Sequence, residues 1–66
     1  MMWNIHYKQA SMPAYMAVST YEIAITRACE LLDRGADVGE VASSGGCKAI
    51  NAKEIRLIWA ERKLLR

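Results

Sequence analysis

The run Ser19-Thr20-Tyr21-Glu22-Ile23-Ala24-Ile25-Thr26-Arg27-Ala28-Cys29-Glu30-Leu31-Leu32-Asp33-Arg34-Gly35 is where the fold is most legible. Its first four residues have the form S-x-x-E. In that capping box Ser19 accepts from the backbone N–H of Glu22 while the Glu22 side chain reaches back to Ser19. Val18 and Ile23 stand where a hydrophobic staple needs them. Tyr21, Ala24, Ile25, Ala28, Leu31 and Leu32 then recur at helical spacing and make one buried stripe. On the other side Arg27, Glu30 and Arg34 are three and four apart and pair in water. Gly35 supplies the left-handed residue that ends such a helix. The pattern predicts a helix over about residues 20 to 34.

Working outward, Asn51-Ala52-Lys53-Glu54 repeats the start signal, with Asn51 as cap, Glu54 at the third helical position and Ile50 and Ile55 as a staple. A second helix over about 52 to 64 follows. The two helix entries look alike, but the helix bodies do not match, so the likeness is the chemistry of capping and not a repeat.

The remaining segments read as strands. Trp3, Ile5 and Tyr7 alternate with Asn4, His6 and Lys8, the period of a half-buried strand over residues 2 to 8. Pro13 removes a ladder donor, which confines residues 14 to 18 to a short edge strand or an extended run. In Asp37 to Ala42, Val38 and Val41 are three apart, and a bulge at Gly39 would turn both inward. Ser43-Ser44-Gly45-Gly46 forms a turn, after which Cys47 to Ile50 can return as a brief strand. The expected fold is α+β: a small sheet of two to four strands, mainly antiparallel, with two α-helices packed on one face, in the order β-(β)-α-β-(β)-α.

Size and composition set limits on function. Sixty-six residues with 53% apolar content and a net charge of +2 make one small domain, spanning residues 1–66. A chain near 60 residues buries only about 60% of its unfolded surface, so a dimer interface is a natural supplement to its stability. No signal-peptide pattern is present, and the longest apolar run, Pro13 to Val18, is far short of a bilayer span, so the expected location is cytoplasmic, with no membrane partner. Two cysteines, Cys29 and Cys47, make no disulfide framework and read as reduced thiols.

Signals for catalysis or for a cofactor are weak. His6 is the single histidine, and its possible partners Cys47, Asp33, Asp37 and Glu40 are all distant in sequence. One His and two separated Cys do not make a metal set, and the acidic residues lack the spacing of a calcium loop. Gly45-Gly46 precedes a helix, but Gly46 stands five residues before the Asn51 cap and lacks the surrounding phosphate-loop motif. Trp3, Tyr7 and Tyr15 could stack bases, yet Trp3 and Tyr7 share the face assigned to the core, and the methionines near the start read as filling a core edge. The chain is therefore read as a non-enzyme, with no cofactor.

Two surfaces of the second helix stand out. Its core face gathers Ile55, Ile58 and Trp59, with Leu65 nearby, whereas Leu57 and Leu64 fall on a separate line beside Glu54 and Glu61. Either the helix frays near Leu64 or the tail folds back, or that line contacts a partner. Charge is also uneven: residues 1–46 carry three basic and five acidic side chains, and residues 47–66 six basic and two acidic. Lys53, Arg56 and Lys63 share one helix face and could touch nucleic-acid phosphates, or could equally form a solvated face. The leading expectation is a small interaction or regulatory module that pairs with itself or with another protein through Leu57 and Leu64. The alternative is weak nucleic-acid binding through Lys53, Arg56 and Lys63.

Overall fold

The computed structural model describes residues 2–46 and 48–64. The chain runs β1 (Trp3–Gln9), β2 (Met12–Val18), α1 (Tyr21–Asp33), β3 (Asp37–Ser43), β4 (Ala49–Asn51) and α2 (Ala52–Leu64). The four strands form one antiparallel sheet in the order β2-β1-β3-β4. This is the expected α+β fold in its fullest form, with all four strands present.

Register follows from alternation. Trp3, Ile5 and Tyr7 of β1 pair with Val18, Met16 and Ala14 of β2 and with Ser43, Val41 and Val38 of β3. All of these share the face covered by the helices. Between Tyr7↔Val38 and His6↔Glu40 the register slips by one residue, which makes Gly39 the extra residue of a bulge. Without that slip Val38 and Val41 would face opposite sides of the sheet; with it both are fully buried. The core is one cluster of Ile5, Val38 and Val41 from the sheet, Ala24, Ala28, Leu31 and Leu32 from α1, Ala36 from the loop, and Ile55 from α2.

Helix α1 starts one residue later than the capping box implies. Val18 is still paired with Trp3, so the chain bends only at Ser19, and Thr20, in an extended conformation, becomes the cap. The Ile23 N–H donates to Thr20 Oγ1 at 3.2 Å. Ile23 is thereby at the third helical position, is exposed, and does not staple Val18, which packs on the core instead. At the other end Gly35 takes φ +84°, the Ala36 N–H donates to the Leu31 carbonyl at 2.9 Å, and the Gly35 N–H donates to the Leu32 carbonyl at 3.0 Å. That pair of bonds is a Schellman motif. Helix α2 starts as expected, with the Glu54 N–H donating to Asn51 Oδ1 at 2.9 Å.

Strand β2 is longer than expected, beginning at Met12 and including Pro13, which pairs with Lys8. A two-residue turn joins it to β1, with Ala10 and Ser11 at φ 53° and 66°. Two consecutive left-handed residues are the signature of the type I′ turn, whose twist suits a hairpin. Cys47 and Leu65 lie outside the described residues, so the strand expected to begin at Cys47 is seen from Ala49. The turn before it is closed by Ser43, whose N–H donates to the Lys48 carbonyl at 2.9 Å and whose buried Oγ accepts from the Lys48 N–H at 3.3 Å.

Candidate interaction surface on the second helix

Helix α2 is anchored on one side only. Ile55 is 1% exposed and Ile58 and Trp59 are half-buried, as the helical projection requires. Two residues on from Ile55, Leu57 is 57% exposed, and Leu64 is 86% exposed. At 100° per residue the seven positions between them amount to nearly two full turns, so both leucines lie on the outward line, with Ala60 close to it. The helix continues through Leu64, and a tail folding back beyond it lies outside the described residues.

A polar strip flanks the buried face of α2. The Trp59 indole Nε1 donates to Asp33 Oδ1 at 2.8 Å, and Lys63 Nζ lies 3.7 Å from the same oxygen. The Lys63 ammonium also sits 4.1 Å from the centre of the Trp59 ring, within cation–π range. Arg62 Nη1 donates to Thr26 Oγ1 at 3.5 Å, and Arg56 Nη2 lies 3.2 Å from Asp37 Oδ1. These contacts run along the flanks that meet α1 and β3, and they leave Leu57, Ala60 and Leu64 facing away.

The three basic candidates are thus not equivalent. Arg56 and Lys63 are held by the carboxylates of Asp37 and Asp33, whereas Lys53 makes no ion pair among the described residues. Sequence reading missed these partners because they stand 19 and 30 residues away and are brought close only by packing. Of the pairs expected on α1, Arg27 and Glu30 meet at 3.1 Å.

Of the partners expected for His6, the fold sets Glu40 beside it on the neighbouring strand and puts Asp37 in the same open cavity. His6 is on the uncovered face of the sheet, opposite Tyr15 and Glu40 on its two neighbouring strands, with its ring 6.2 Å from that of Tyr15. A dyad with Cys47 falls outside the described residues. Among the described residues, no three His, Cys, Asp or Glu side chains gather as a metal site. Trp3 and Tyr7 are half-buried on the helix side and Tyr15 is on the uncovered side, so the three do not form one stacking platform. Among the methionines, Met16 packs on the core while Met2 and Met12 are exposed. Among the described residues no helix is long and apolar enough to cross a membrane.

No protein-family model, curated protein or solved structure shows a significant match to this chain.

Proposed function

We propose that this chain is a small non-enzymatic protein-interaction module that pairs with a second copy of itself through the outward face of α2. The observation that carries the reading is the contrast between Ile55 and Leu57, one sealed in the core and the other open, on a helix held to the fold along its opposite side. An apolar line maintained outside the core has a contact surface as its simplest physical use. A chain of 66 residues also has the most to gain from burial supplied by a second copy. Sedimentation equilibrium tests it: Leu57→Asp, which adds a charge to the line and leaves the core alone, is expected to weaken association through α2. Association through α2 that Leu57→Asp leaves unchanged would contradict the reading.

The nucleic-acid alternative has less support, because Arg56 and Lys63 already face carboxylates. Its test is titration with mixed DNA or RNA at low salt, where counterion release favours binding most. Binding that weakens on Lys53→Ala would favour it.

A further inference from the structure

We propose that the free edge of β2 is a second self-association site, at which β2 of another copy adds antiparallel and joins two four-stranded sheets into one of eight strands. The site lies at the far end of the sheet from α2, which packs on β3, β4 and α1, so it rests on observations separate from the reading above.

The two edges of the sheet differ. β4 is three residues long, too short to template much pairing, whereas β2 runs seven residues, Met12–Val18, with no charged side chain in it. Soluble chains guard long edges with Lys, Pro or a bulge, because unpaired N–H and C=O groups invite another strand. Here Pro13 is the sole guard, and Met12 and Tyr15 on the strand are 68% and 69% exposed.

The occupant follows from which backbone groups point out. The two-residue turn makes Gln9↔Met12 a hydrogen-bonded pair, and in an antiparallel ladder such pairs alternate with non-bonded ones. Pro13, Tyr15 and Ala17 therefore direct their backbone groups away from β1. Pro13 does so at no cost to the hairpin, because its missing N–H would have pointed outward. With Tyr15 of each copy on a two-fold axis, Tyr15 meets Tyr15 and Pro13 meets Ala17 of the other copy. Every outward residue then faces an outward residue, and about four backbone hydrogen bonds close despite the proline. An uncharged strand also meets its own copy without like-charge repulsion. Seven residues span about 23 Å and meet the other copy along a single strand edge, so the pairing is weak and concentration-dependent.

The test uses the full chain with the α2 line closed by Leu57→Asp, so that only the edge can pair. Sedimentation equilibrium from micromolar to millimolar is expected to show a monomer–dimer equilibrium. Adding Ala17→Pro removes an outward N–H, and adding Tyr15→Lys puts like charges on the axis at an exposed position. Each is expected to weaken that equilibrium about tenfold or more, with the far-UV circular dichroism of the fold retained. Amide exchange at Tyr15 and Ala17 is expected to slow as concentration rises. A Leu57→Asp chain that stays monomeric at millimolar concentration, or a dimer indifferent to both edge substitutions, overturns the proposal.

Discussion

Asp33, in the last turn of α1, accepts from the Trp59 indole at 2.8 Å and lies 3.7 Å from the Lys63 ammonium, so one carboxylate ties two residues of α2 to α1. A carboxylate there opposes the helix dipole, and α1 has no basic residue in its last turn to offset it. The local rule is broken in favour of a contact between helices. That contact adds to the burial of Ile55 and Trp59 in holding the core-facing side of α2 against α1 and the sheet.

Asp33→Ala is expected to cost about 1 kcal/mol, because the Trp59 N–H loses its acceptor at a part-exposed site. Asp33→Asn keeps an acceptor oxygen and loses only an exposed ion pair, so its cost is expected to be under about 0.5 kcal/mol. Urea denaturation of the two variants separates hydrogen bond from charge.

Position 55 against position 57 gives a sharper contrast. Ile55→Ala opens a cavity in the core and is expected to cost about 2–5 kcal/mol, enough to unfold much of so small a domain. Leu57→Ala removes an exposed side chain and is expected to stay within about 0.5 kcal/mol of wild type. Thermal and denaturant melts of dilute protein read both.

Two glycines are expected to respond with opposite sign. Gly35 has φ +84°, so Gly35→Ala is expected to destabilise by about 1 kcal/mol. At Gly39 an added Cβ would meet nothing closer than the His6 carbonyl at 3.7 Å, and φ is not positive, so Gly39→Ala is expected to stabilise by about 0.5 kcal/mol. Deleting Gly39 removes the bulge and brings Val38 and Val41 two positions apart, which a regular strand turns to the same face, so the deletion is expected to keep both valines inward and unfolding cooperative in a urea melt.

The β1–β2 turn holds Ala10 and Ser11 in the left-handed region, which costs L-residues about 1–2 kcal/mol each. Replacing the pair with Asn-Gly, the preferred type I′ sequence, is expected to raise stability by about 1 kcal/mol or more, measured as a shift in the urea midpoint.

These cases show which features were legible in the residues. The inward line of β1, the Gly39 bulge, the Gly35 terminus and the bounds of α2 could all be read because each rests on side-chain period or on one local conformational demand. The full length of β2 could not, since Ala10-Ser11 carries no turn signature and Pro13 looks like a breaker until its nitrogen is known to face out. The α1 cap is at Thr20 and not Ser19 because pairing of Val18 with Trp3 decides where the chain bends. On α2 the exposure of Leu57 and Leu64 followed from helical projection, whereas the pairing of Arg56 and Lys63 with carboxylates depended on partners that only the packed fold supplies.

The outward face of α2 is tested most directly with the sheet edge closed by Ala17→Pro, by comparing sedimentation equilibrium of that chain with Ala17→Pro/Leu57→Asp. The account predicts a dimer at high concentration in the first and a monomer in the second. A first chain already monomeric at millimolar concentration, or a second that associates as strongly as the first, would contradict it.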